Sequence, residues 1–163
     1  MPNITITPSL KKNILFWTFD HSSTTQSSSS VYTGNETFSG TARIQFMQGP
    51  VPTDFTEFVS TGSKAPDMLV TMNSNVSLEQ DSVTQDWEAV VSTAFTPAAA
   101  SGVASYFWFY VYDTNSVIVN QMIGTIGTGE GFDLLVPEVN VEQGKQYRVS
   151  NLRFTIPSDF NYS

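Results

Sequence analysis

Along this 163-residue chain apolar side chains recur at every second position in short runs, and Gly, Pro, Asn, Asp and Ser separate the runs. That period marks strands with one face on a core, whereas an amphipathic helix returns its apolar residues at every third or fourth position. "ARIQFMQ" (42–48) sets Ile44 and Phe46 on one face, and "DMLVTMN" (67–73) aligns Met68, Val70 and Met72. "WEAVVSTAF" (87–95) keeps Trp87, Ala89, Val91 and Phe95 in phase. The connection between the first two carries Pro50, Pro52 and Pro66, which a central strand does not tolerate. Within it "DFTE" has the form of a capping box, Asp54 with Glu57, and predicts one helical turn.

The second half departs from simple alternation at "YFWFYVY" (106–112), an unbroken apolar and aromatic run. Period two divides it into Phe107, Phe109 and Val111 on one face and Tyr106, Trp108, Tyr110 and Tyr112 on the other. "DTNS" (113–116) has turn chemistry, so "SVIVNQMIGTIG" (116–127) is expected to return as the hairpin partner. "TGEG" (128–131) is a second turn, "FDLLV" (132–136) a short strand, and "EQGK" (142–145) a third turn. The last run, "QYRVSNLRFTI" (146–156), changes parity between Val149 and Leu152, which predicts a bulge near Ser150 and Asn151. About eight short strands between turn signals predict an all-β fold, an antiparallel β-sandwich of jelly-roll or immunoglobulin-like type. Its core is expected to draw on Phe107, Phe109, Val111, Trp87, Leu152 and Phe154.

Ahead of the sandwich, "NITIT" and "ILFWTF" read as an extended N-terminal arm, residues 1–20. "HSSTTQSSSS" opens a Ser/Thr-rich stretch, 21–40, with little to bury and high chain entropy, expected to be a flexible loop. The sandwich domain is then 41–163. An arm on such a tether can pack on its own domain or on a neighbour.

Composition strengthens the β reading. Charged residues are 13%, against about a quarter in ordinary domains, so polarity comes from Ser, Thr, Asn and Gln, which favour strands and turns. The net charge of −8 argues against a phosphate-tracking surface and against anionic lipid, so neither nucleic acid nor membrane is expected as a partner. The absence of cysteine excludes disulfides and thiolate metal sites. The opening residues have no long apolar core of a signal peptide, and synthesis and folding in a cytoplasm are expected.

Catalytic chemistry is sparse. His21, in the Ser/Thr-rich stretch, is the single histidine, which removes the common histidine triads and multi-histidine metal sites. Glu79, Asp81 and Asp86 do not have the spacing of an EF-hand loop, and most other carboxylates flank turns. "GTIGTGEG" (124–131) has no following Lys-Ser/Thr, and reads as a turn rather than a nucleotide loop. No enzyme, metal or cofactor is expected.

The informative surface is therefore the aromatic strand. Tyr106, Trp108 and Tyr110 each join a polar tip to a large apolar body, as does Tyr112, and such side chains suit protein interfaces. Three covers fit them: the chain's own arm or the 49–66 connection, a neighbouring subunit in a homo-oligomer or larger assembly, or a sugar stacked on the rings. The interface reading takes Tyr106, Trp108, Tyr110 and Tyr112 as anchors, supported by Phe16 and Trp17 of the arm. The sugar reading would make this a carbohydrate-binding module.

Residues 101–157 are similar to the C-terminal half of small virion-associated proteins of tailed bacteriophages. The pieces that carry the resemblance are "FYVYDTNS", "IGTIGTGEGFDL", "VEQGK" and "YRVSNLRFTI", with "ARIQFMQGPVPTD" (42–54) resembling the strand and Pro-containing loop near their start. Those proteins tend to open on a helical segment, where this chain has a strand-like arm. The resemblance implies a β-sandwich structural component of a virion, on the capsid surface as a decoration or cement protein. Its partners would be the major capsid protein or other virion structural proteins. The alternative setting is the neck, tail or baseplate.

Overall fold

The alternation along the chain resolves into thirteen strands among the described residues. The structure, a computed structural model, describes residues 4–5, 11, 14–15, 18, 36–55, 58, 67–113, 115–150, 152–156 and 159–160; for 4–5, 36–41 and 159–160 it describes the backbone. Chain order runs β1 (Ile4–Thr5), β2 (Glu36–Met47), β3 (Met68–Gln80), β4 (Trp87–Thr93), β5 (Thr96–Pro97), β6 (Gly102–Val103) and β7 (Tyr106–Tyr112). It continues with β8 (Ile118–Gly127), β9 (Leu134–Leu135), β10 (Asn140–Val141), β11 (Gln146–Tyr147), β12 (Leu152–Thr155) and β13 (Asp159–Phe160).

Seven strands make one sheet in the order β12-β4-β3-β2-β7-β8-β9, antiparallel except for the β8–β9 pair. The pairs β1–β13, β10–β6 and β11–β5 stand apart as two-stranded antiparallel ladders. Register explains the core. Ile44 lies between Met72 and Phe109, and Phe46 between Val70 and Phe107, so the even positions of β2 and β3 meet the odd positions of β7. Val76, Val91 and Leu152 extend the same layer across β3, β4 and β12. All of these are buried.

The sheet curls. β7 and β12 are separated by β2, β3 and β4, which in a flat sheet would put them about 19 Å apart at ordinary strand spacing. Yet the Phe109 and Phe154 rings meet at 5.5 Å between centroids. Right-handed twist and curl bring the edge strand β12 around until its inner face meets that of β7. The result is an all-β, sandwich-like near-barrel with Phe107, Phe109, Val111 and Leu152 buried in its core and Trp87 and Phe154 packed against it.

Several local expectations hold. Asp113 makes the turn: its Oδ1 accepts from the amides of Asn115 (2.8 Å) and Val117 (3.0 Å), and β7 and β8 pair as a hairpin. Lys145 N donates to Glu142 O at 3.1 Å, closing the third turn with Gly144 at φ +82°. The parity change near the C-terminus is also real. Val91 faces Leu152, whereas Thr93 N donates to Val149 O (2.8 Å) and Thr93 Oγ1 accepts from Val149 N (2.9 Å). The C-terminal side gains one residue on β4 between these points, and both Val149 and Leu152 are buried.

Others are corrected. The run 146–156 is two strands in different sheets, because β11 pairs with β5 and β12 with β4. β9 runs parallel to β8, not antiparallel. Met68 lies on the opposite face from Val70 and Met72, since the register shifts between Phe46 and Met47. Residues 36–40, assigned to the flexible loop, are the start of β2. The arm is neither wholly extended nor free: Lys11, Ile14, Leu15 and Thr18 have helical backbone, and Leu15 belongs to the core. Lys11, 1% exposed, pairs with Asp86 at 2.8 Å, and Asn120 Nδ2 donates to Thr18 O at 3.0 Å, so Lys11, Leu15 and Thr18 pack on their own domain. Among the described residues, no helix is long and apolar enough to cross a membrane.

Candidate functional site

Both faces of the aromatic strand are dry. Phe107, Phe109 and Val111 fill the concave core, while Tyr106, Trp108 and Tyr110 form a second apolar cluster on the convex face with Met47. Trp108 is 0% exposed. Its cover comes partly from the 49–66 connection: Phe58 lies 4.2 Å from Trp108 between ring centroids, and Trp108 lies 4.4 Å from Tyr110. Met68, Ile118 and Ile123 pack around them, with Tyr112 half-buried at the edge.

The polar tips account for the residue choice. Trp108 Nε1 donates to Gln121 Oε1 (3.2 Å), and Gln45 Nε2 donates to the Tyr110 hydroxyl (3.3 Å). Each large ring is buried while its polar atom is hydrogen-bonded, the condition for placing Trp and Tyr in an interior. Burial raises the Tyr110 phenol above its ordinary value, partly opposed by Arg43 and Gln45. Arg43 also lies over the Tyr112 ring, 5.1 Å from its centroid.

Of the residues read as interface anchors, Tyr106, Trp108 and Tyr110 are thus closed off by their own chain. Phe16 and Trp17 lie outside the described residues, as do Glu57 of the capping box and His21. The sugar-stacking reading of this strand is overturned as well, because buried rings offer no platform.

Exposed apolar surface gathers elsewhere. A groove of about 440 Å³ runs between the 134–138 segment and the 145–150 segment. Phe46, Ala104, Leu134, Val141 and Val149, all buried, form its floor. Leu135 and Phe95 stand on its walls, each 60% exposed. Lys145 and Glu138, from the two segments, form an ion pair, and this bond raises the Lys145 pKa. Arg148 sits over the Phe95 ring at 4.6 Å from its centroid, a cation–π arrangement that holds an exposed ring and an exposed guanidinium together. The Tyr147 hydroxyl accepts from Glu142 N at 2.9 Å, which fixes the turn beside the groove.

The walls are set by local chemistry. Asp133 Oδ2 accepts from both the amide and the hydroxyl of Thr125, each at 2.8 Å, and this holds the 132–136 segment against β8. Those bonds keep the Asp133 carboxyl below its ordinary value. Gly124 leaves room for the ring of its cross-strand partner Phe107, since a Cβ there would meet that ring at 2.5 Å.

Sequence reasoning missed this site. Phe95 was placed in phase with the core residues of β4, but β4 ends at Thr93 and the chain turns away toward β5. The Thr96-Pro97 step was the available signal, because the proline cannot continue a central ladder. Among the described residues no three His, Cys, Asp or Glu groups converge to hold a metal ion. Of the carboxylates considered for calcium, Asp86 binds Lys11, and Asp81 accepts from the amides of Val83 and Thr84, which lower its pKa.

No protein-family model matches the chain, and no curated protein and no solved structure matches it.

Proposed function

We propose that this protein is a structural component of a tailed-phage virion, a capsid decoration or cement protein that stabilises the head by binding across capsid subunits. The observation that carries the reading is the groove, where apolar side chains stand exposed around a preformed apolar floor. A cement protein works by burying area across subunit boundaries, and covering the 60% of Phe95 or Leu135 that stands exposed would contribute about 1–2 kcal/mol each. The similarity of residues 101–157 to virion-associated proteins supplies the biological setting. The interior supports the same reading: with both faces of β7 packed, the domain offers its partner a rigid surface and loses little entropy on docking.

The test is the copy number of the protein in purified virions, by quantitative mass spectrometry against the major capsid protein. A ratio of one, or a simple fraction of it, is expected for a head-lattice protein. A handful of copies per particle would move the protein to the neck, tail or baseplate. Absence from the particle would overturn the proposal.

A further inference from the structure

We infer that the groove takes an extended polypeptide segment of the partner, one carrying an Asp or Glu between apolar residues, with its carboxylate on Arg148 and its backbone along β9. The inference rests on the reading of the groove as a contact surface for another virion protein.

Charge selects the acid. The chain carries 15 acidic and 7 basic residues, and four of its described cations are engaged within the chain. Lys11 is bound to Asp86, Lys145 to Glu138 and Arg153 to Glu88, while Arg43 donates to Asn73 and meets two tyrosines. Arg148 has no ion pair among the described residues. In the groove lining Lys145 is answered by Glu138, with Glu142 also acting on it, which leaves Arg148 as the cation open to a ligand on a molecule of net charge −8. A guanidinium seated on an aromatic face still presents edge donors that match a carboxylate.

The backbone selects an extended segment. Val136 N donates to Gly127 O at 3.0 Å, which aims Val136 at β8. The pleat therefore turns the amide and carbonyl of Leu135 the other way, toward the groove. β9 ends the sheet order, so this edge is where a further strand adds. An added strand would lay alternate apolar side chains on Phe46, Leu134 and Val149, and its acid within reach of Arg148.

The experiment uses the whole protein and a display library of segments about seven residues long, in which apolar and polar positions alternate around a central Asp or Asn. Asp members should bind at least about tenfold more tightly than their Asn counterparts, and Arg148→Gln should reduce that ratio to about one. Arg148 is exposed, so the variant should keep its melting temperature, and the Leu135 amide should exchange more slowly on binding the selected segment. Equal binding of Asp and Asn members, no binding, or binding with no protection of Leu135 would each overturn the inference. So would preference for an acidic oligosaccharide over every segment. The assay needs no particle, so its failure beside a simple copy ratio would remove the groove's ligand and leave the virion reading standing. An Asp preference in a protein absent from virions would do the reverse.

Discussion

Replacing Trp108 with alanine tests whether the second face of the aromatic strand is sealed by this chain alone. The indole is fully buried between Phe58 and Tyr110, and its Nε1 donates to Gln121. Truncating a buried Trp to Ala costs about 3–5 kcal/mol, from lost transfer energy and the cavity left behind. Gln121 is exposed, so its orphaned Oε1 regains water and adds little. Against a total stability of about 5–15 kcal/mol this is a large fraction, and it corresponds to roughly 6–20 °C in melting temperature for a chain of this size. The assay is urea denaturation followed by far-UV circular dichroism, with Trp108→Phe as the milder control, expected to cost about 1–2 kcal/mol. A loss below about 1 kcal/mol for the alanine variant, with an unchanged urea dependence, would rule out burial of the indole by its own chain. It would mean that the face is open in the isolated chain and waits for a partner to cover it.

Three further outcomes are expected. Gly124→Ala should destabilise by about 1–3 kcal/mol, because its Cβ is driven into the packed Phe107 ring. Gly127→Ala should cost less, since the ring it meets, Phe132, is exposed and can swing away; equal losses in thermal melts would contradict this. Asp133 has its pKa lowered in the fold, so its contribution is present above the ordinary value of 3.8 and lost as pH falls through the lower folded value. Asp133→Asn should flatten the melting-temperature profile in that acid range, and an unchanged profile would show that the Thr125 contacts do not depend on charge. Asp86→Ala should destabilise more than Lys11→Met, on the order of 2 kcal/mol, because the first leaves a buried ammonium without its carboxylate and the second removes the charge. Urea midpoints for the two variants decide it.

The turns were legible because their causes are local. Asp113 caps its hairpin through its own side chain, and Gly144 supplies a positive φ, so neighbouring residues suffice to specify both. The parity change before Leu152 was legible for the same reason: side-chain direction alternates with each residue, and only an inserted residue reconciles Val149 with Leu152. Phe95 was misread because periodicity assigns a face but does not say where a strand stops.

The site lies further from the sequence. Phe46, Phe95, Leu134 and Arg148 are distant along the chain, and the groove exists only where β9 and β11 come to stand on either side of the same floor. Local patterning is enough to specify an all-β domain, its turns, the two faces of β7 and the polar tips that the convex face would have to satisfy. Long-range packing settles that this face is covered in cis, that β9 runs parallel, and that the residual apolar surface lies in the groove. The physical reason is that alternation and turn chemistry act between neighbours, whereas curvature, strand order and burial depend on contacts between residues far apart in sequence.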